Sequence, residues 1–394
     1  MGIALTFCST YLLRPIGALI FGWLGDNIGR KSTVIITTIM IAISCIVMAA
    51  LPTYAQIGIT ATWLVIICRI VQGMSSMGEI IGAEIYLTET IKPPMHYSYV
   101  AILPFLAALG ATAALGVASL VTTQGFNWRY AFLVGAAVAL IGSIARTALR
   151  ETPDFIDAKR RIKRTFESVN KETEILKNNP IWTEKINLKT ALALFLIRCP
   201  WPVFFFLTYI HCGNVLKESF GYSTVQVIHQ NFILSIVEML GVLPLVYLGC
   251  KIYPLVILKF RLILFTIFIL ITPYLLDNVK TPFDVLLIQS FIMFFVPDTV
   301  PAIPILYKYF PVFRRFTSTA FLYALSRAIM FVVTSFGCAY LMDYYGNTGL
   351  LIIIIPLIIG YMFGILHFEK LEKAAGNYPL KKTSSLFVTD IESA

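Results

Sequence analysis

Long apolar runs broken by short polar turns set the rhythm of this chain. Eleven runs stand out, at 3–24, 33–51, 59–82, 98–122, 128–149, 190–211, 227–249, 258–276, 284–307, 317–341 and 348–367. Each is close to the roughly 20 residues that a helix needs to cross a bilayer. Lipid offers no partner for bare backbone groups, and a closed helix supplies all of them internally. The pattern therefore predicts an all-α polytopic membrane protein with about eleven transmembrane helices. The first turn, Gly22-Trp23-Leu24-Gly25-Asp26-Asn27-Ile28-Gly29-Arg30-Lys31, is unusually rich in glycine and charge. Gly22, Gly25 and Gly29 allow close helix approach and chain reversal, while Asp26 and Arg30 are placed to pair or to face a helix terminus. A positively charged hairpin that only orients two helices is the simpler reading of the same residues.

Composition strengthens the membrane reading. The 394 residues are 58% hydrophobic and 13% charged, and mean hydropathy is +0.80. The net charge of +10 does not point to nucleic acid, because the basic residues gather in alternate loops instead of along one face. Arg30 and Lys31, Lys92, the 150–189 stretch, Lys251 with Arg261, Arg314 with Arg315, and Lys370, Lys373, Lys381 and Lys382 fall on one side. The carboxyl terminus is then expected in the cytoplasm and, with an odd number of spans from Met1, the amino terminus outside. The seven cysteines are scattered without a CxxC pair, so neither a disulfide framework nor a metal site is implied. No nucleophile–base spacing suggests an enzyme, and the first apolar run reads as a retained span, not a cleaved signal peptide. The organisation expected is a five-span bundle over 1–149, a charged linker over 150–189, a six-span bundle over 190–368 and a tail over 369–394. Lys159-Arg160-Arg161-Ile162-Lys163-Arg164 in the linker could lie on anionic headgroups or simply in solvent. The tail shows no sustained heptad.

The glycine-rich turn resembles the signature loop of the major facilitator superfamily of transporters. Four further stretches resemble its metabolite–proton symporter branch, the proline/betaine transporter-like group: Arg14-Pro15-Ile16-Gly17-Ala18; Arg69-Ile70-Val71-Gln72-Gly73 continuing through Gly78-Glu79 and Gly82-Ala83 to Glu89; Trp128-Arg129 with Phe132-Leu133 and Gly135; and Glu151-Thr152-Pro153 with Phe155. The resemblance implies a two-bundle fold that carries a small-molecule solute and protons across a bacterial inner membrane as a monomer, without cofactor. It fades after residue 189. Where a second charged turn would fall, 249–259, the Asp and Arg-pair positions are gone. The resemblance also aligns the first span with the family's second helix, so a helix is expected upstream, in a neighbouring frame, or lost from a shortened gene. A truncated, non-transporting remnant or sensor that keeps the fold is the rival expectation.

Ionisable groups inside a bilayer cost about 2.5–3.5 kcal/mol on insertion scales, so each needs a reason. Arg14 and Arg69 lie near the middle of their spans, and Glu79 and Glu84 follow on the second of these. The resemblance implies that Arg69 and Glu79 couple protons to solute while Arg14 lines the path. Ten helical residues separate Arg69 from Glu79 by about 15 Å, so a permanent pair is not expected, and bracing of helices is the plainer alternative. Glu84 stands where the family has a small residue. In the carboxyl half Glu238 and Arg327 lie near span centres, Arg198 and His211 lie where they can snorkel, and Asp298 between Pro297 and Pro301 marks a broken helix. The resemblance further implies a cytoplasmic gate of Gly22, Gly25, Asp26, Gly29, Arg30, Lys31 and Glu89, latched by partly solvated ion pairs worth about a kcal/mol or less each. Ala107, Ala108, Gly110, Ala111, Ala114 and Gly116 make a face suited to close helix packing.

Overall fold

The computed structural model describes residues 13–123, 127, 129–168 and 185–379. The start of the first expected span, Trp128, the second half of the linker and the end of the tail lie outside these residues. The helices are α1 (Arg14–Asn27), α2 (Arg30–Ala50), α3 (Ile59–Thr90), α4 (Met95–Thr123), α5 (Arg129–Thr147), α6 (Pro153–Ser168), α7 (Leu188–Phe220), α8 (Thr224–Gly249), α9 (Pro254–Asp277), α10 (Pro282–Phe295), α11 (Val312–Val332) and α12 (Gly349–Ala374). No strand occurs among the described residues. Eight helical runs are long and apolar enough to cross a membrane, the last being the joined run Val312–Ala374, and α10 is a shorter apolar helix. The chain is an integral membrane protein.

Local chemistry explains the boundaries. Ser223 and Gln226 form a capping box that opens α8, as Thr281 and Asp284 do for α10, and Pro254 occupies the first turn of α9. Gly221 closes α7 in the left-handed conformation. Beyond Phe295 the helix breaks over 296–302 and resumes as Ile303–Tyr307. As the proline spacing predicts, a backbone carbonyl is freed there: the Asp298 C=O accepts the Tyr361 hydroxyl at 2.5 Å. Two π-helical segments interrupt regular winding, Phe206–His211 within α7 and Val333–Cys338 after α11.

Two compact units divide the chain. The first holds α1, α2, α3, α5 and α6, the later part of α4, and residues Tyr307–Ile329. Its helices meet through small residues. A Cβ on Gly17 would lie 2.6 Å from the Met74 Cα, and one on Gly22 would lie 2.5 Å from the Thr317 Cα. Thr33, Thr37 and Thr38 satisfy their buried hydroxyls on carbonyls one turn earlier, so these three pack without an unmet donor. The second unit holds Lys92–Ala108, Leu192–Leu306 and the residues from Met330. Its apolar core gathers Phe204, Leu207, Phe265, Ile269, Val285, Ile292 and Ile354.

Two expectations need correcting, and a third gains detail. Part of the 150–189 linker is helical, because Pro153 and Asp154 make a good first turn for α6. Arg198 does not snorkel but is buried, at 4% exposure, on α7, the most enclosed of the eight runs. The small-residue face of α4 is open at Gly110 and Gly116, where no described atom lies within 4 Å of a built Cβ.

The Gly17 contact is with backbone, which cannot swing aside. Gly17→Val should lower the thermal midpoint of the purified protein by an amount equivalent to about 1–3 kcal/mol, typical of overpacking. An unchanged melting curve would show that α1 and α3 are not in close contact.

Candidate functional site

The site is built around the turn between α1 and α2. Asn27 Nδ2 donates to the Trp23 carbonyl at 2.8 Å, finishing α1. Gly29 then adopts φ 140°, a region that disfavours side chains, and a Cβ there would collide with the Glu151 carboxylate. That carboxylate accepts the Arg30 N–H at 3.0 Å and the Lys31 N–H at 3.3 Å, so it caps the exposed amides at the start of α2. Lys31 Nζ donates to the Thr147 carbonyl at 2.7 Å, the complementary arrangement at the end of α5.

Arg30 turns inward from this frame and its side chain has no exposure. Its guanidinium donates to the Gly25 carbonyl at 2.8 Å and the Val312 carbonyl at 2.6 Å. Its Nε lies 3.3 Å from Glu89 Oε2, and the Phe155 ring centroid is 4.8 Å away. Glu89, at the end of α3, is equally buried. It also takes Arg315 Nη1 at 2.7 Å and the Thr152 hydroxyl at 2.6 Å. Arg315 reaches on to Asp154 of α6 at 3.1 Å. Asp26 lies 3.7 Å from Arg30 and accepts the Phe316 N–H at 3.0 Å, the Thr317 N–H at 2.8 Å and the Thr317 hydroxyl at 2.7 Å. A carboxylate near the N-terminal end of α11 is favoured by the helix dipole. Gly22 and Gly25 leave the room: Thr317 and the Phe316 ring occupy the space where their side chains would stand.

The sequence-predicted gate residues are thus assembled in one place, but their setting differs from expectation. The Arg30 and Glu89 side chains are both wholly buried, not partly solvated. Removing one partner of such a pair strands a charge and costs about 3–5 kcal/mol, well above a surface pair. Sequence reasoning also missed the residues that seal the network. Arg315 stood in the sequence only as one of two adjacent arginines, and Glu151, Thr152 and Phe155 only as parts of a matched stretch.

The intramembrane candidates are not gathered with them. Glu79 pairs with Arg146 of α5 at 2.6 Å, each side chain about 30% exposed, and Arg146 also donates to the Thr38 hydroxyl. This joins α3, α5 and α2. Arg69 is exposed and forms no ion pair with a described residue, and Arg14 is half-buried at the start of α1. Glu84 is buried and accepts the hydroxyl of fully buried Tyr307. Arg327 is buried, 4.8 Å from the Tyr323 ring. In the second unit Glu238 accepts the Tyr209 hydroxyl at 2.8 Å, and His211 Nε2 lies 2.8 Å from Asn347 Oδ1.

Comparison with known proteins places this arrangement. The family model of the Major Facilitator Superfamily matches residues 1–311. The chain belongs to that superfamily. The proline/betaine transporter of Salmonella typhimurium is 36% identical over 157 residues, which is 38% of this chain and 31% of that protein. The ectoine/proline transporter of Corynebacterium glutamicum is 32% identical over 166 residues, 39% of this chain and 33% of that protein. The match therefore spans about a third of the length of these curated relatives. The solved proton:xylose symporter XylE, bound to 6-bromo-6-deoxy-D-glucose, superposes with a TM-score of 0.70 at 16% identity, covering 94% of this chain and 85% of that one. The fold is that of a Major Facilitator Superfamily transporter, and no enzyme reading is needed.

The buried network makes a direct prediction for the superfamily's turn in this chain. Arg30→Met should destabilise the purified protein by about 3–5 kcal/mol, and Arg30→Met with Glu89→Leu by clearly less than the sum of the two single losses. Additive losses in thermal melts would contradict a shared, sealed pair.

Proposed function

We propose that the protein is a secondary carrier that moves a small zwitterionic or carboxylated solute of the proline or betaine type together with protons, by alternating access. The membrane is a bacterial inner membrane, with the carboxyl terminus in the cytoplasm and no cofactor. The observation that carries this reading is the closure at the α1–α2 turn. Ion pairs, helix-end amides and glycine-lined contacts hold α1, α2 and α3 against the start of α11. Charges that meet across a surface kept smooth by Gly22 and Gly25 separate without dragging interlocked side chains apart. Lys31 and Arg314 in the first turns of α2 and α11, and Lys92 just after α3, favour a cytoplasmic position for this closure by the positive-inside rule. The network then acts as the inner gate of a monomeric carrier, closed while the solute path faces out. The names of the relatives support a zwitterionic cargo.

Proton coupling falls to the acids within the helices. Glu79 is the first candidate, with Arg146 as its ion-pair partner, Arg69 and Arg14 along the path, and Glu84, Glu238 and Arg327 as further ionisable positions. A nearby guanidinium favours the charged acid, and losing that contact favours uptake of a proton. Alternating exposure changes such contacts and so couples proton to solute. The rival, a non-transporting membrane protein that keeps the fold, is favoured by the missing charges at 249–259.

Uptake of labelled proline and glycine betaine into vesicles containing the purified full chain separates these readings. Accumulation driven by an inward proton gradient and abolished by a protonophore is expected; no uptake of either solute under any gradient favours the rival. Glu79→Gln should abolish gradient-driven accumulation while the protein still inserts normally. Retained accumulation, with Arg146→Met and Glu79→Gln equally destabilised, would make the pair a brace only. Asp26→Asn should slow turnover several-fold with KM little changed, because it loosens the gate and not the solute site; normal turnover would remove Asp26 from the gate.

A further inference from the structure

One cluster in the second unit has no place in the gate or in the proton pair. Trp201, Phe205 and Tyr209 follow one another at four-residue spacing along α7. Their rings form a column, with centroids 5.2 Å apart at 20° for the first pair and 4.9 Å apart at 33° for the second. All three are half-buried. Their neighbours Pro202, Val203, Phe204, Leu207 and Thr208 are buried on the same stretch of α7. The bond of the Tyr209 hydroxyl to the Glu238 carboxyl makes a protein-facing column a better account than an anchor in lipid.

The lower end of the column is rich in acceptors. Tyr209 lies in the π-helical segment Phe206–His211, and such segments re-aim side chains and carbonyls at functional positions. Its hydroxyl donates to Glu238 at 2.8 Å, and its carbonyl accepts Asn231 Nδ2 at 3.5 Å. Asn231 and Glu238 are seven residues apart on α8 and therefore share a face. Among the described residues no cationic side chain pairs with Glu238, and the other charged group acting on it is Asp298, an acid. Asn231 Oδ1 is buried with no donor. Bracing of α7 against α8 accounts for the Tyr209 hydroxyl bond, but it leaves the unmatched carboxylate and the unmet amide oxygen without a purpose.

We infer that Glu238, Asn231 and the ring of Tyr209, continued by Phe205 and Trp201, form a seat for the positively charged end of a small solute, an ammonium bearing N–H or N-methyl groups. Ring faces attract cations, and the Glu238 carboxyl beside them supplies the counter-charge once the ammonium is seated, since a cation at that distance favours the ionised acid. The amide oxygen takes an N–H where the solute has one. The seat rests on the transport reading for its purpose, since a zwitterion must be held at both ends, but it can be tested without transport.

The test is calorimetric titration of the purified full chain in detergent with tetramethylammonium chloride, against sodium chloride and sodium acetate at equal ionic strength. Saturable binding of tetramethylammonium alone is expected. Glu238→Gln and Tyr209→Leu should each weaken it at least tenfold, and Glu218→Gln, an exposed acid near the end of α7, should leave it unchanged. Should Glu238→Gln not purify as a single species, Tyr209→Leu carries the comparison. Absence of tetramethylammonium binding by the unaltered chain, or undiminished binding by the variants, overturns the assignment. Vesicle uptake reports separately on transport: binding without uptake keeps the seat and rejects the carrier, and uptake without binding does the reverse.

Discussion

Arg30 holds a full positive charge where water does not reach, and the first unit is organised around that constraint. A guanidinium presents five N–H donors in a fixed plane, so it must be met from several directions at once. Here the carbonyls of Gly25 and Val312 and the carboxylates of Glu89 and Asp26 surround it, with the Phe155 ring on its face. Each contact imposes a condition on the chain. Gly29 takes a backbone conformation that frees the turn, Glu151 caps the helix that begins with Arg30, and Gly25 gives up its side chain to the ring of Phe316. A second positive charge, Arg315, is balanced by sharing Glu89 and reaching Asp154. Buried charge is matched on both signs, which is what makes it tolerable.

The second unit solves a related problem with different residues. Its turn between α8 and α9 lacks the acid and the arginines, and the polar contacts move to the far end of α12. Lys259 pairs with Glu369, which also holds Lys373 at 3.0 Å, and Tyr253 donates to Glu372. Within the apolar interior, Gln289 donates to the Thr208 carbonyl at 2.7 Å and accepts from Gln230 at 2.9 Å. These bonds tie α7, α8 and α10 without a net charge. The unit therefore keeps polar order while losing the turn motif of the first.

Much of this was legible before the structure. The lengths of the apolar runs give the helices, and the glycine spacing at Gly22, Gly25 and Gly29 announces a turn with close contacts. Asp26, Arg30 and Glu89 do converge. What stayed hidden are partners far away in sequence: Arg315 lies 226 residues from Glu89 and 161 from Asp154, and no local period reports such a meeting. Arg146 gave no local signal in the sequence, yet it is the residue that pairs with Glu79. Helix α6 was masked by its own charge, since a polar, two-signed stretch reads as a solvated linker. The degree of burial was misjudged for a physical reason. A charge at a membrane boundary is usually wet, and only three-dimensional cover from α11 and Thr152 makes it dry.

If the sealed network is a gate and not a permanent brace, it must open and close as the protein works. Ser318, 9% exposed and one residue beyond the Thr317 bound by Asp26, reports on that movement. The most direct measurement is the maleimide labelling rate of Ser318→Cys, in a chain otherwise free of cysteine, in sealed vesicles with and without solute and a proton gradient. A slow rate at rest that rises severalfold when solute and gradient are supplied together is the result expected of a gate. A rate that stays slow while the same vesicles accumulate solute would contradict it.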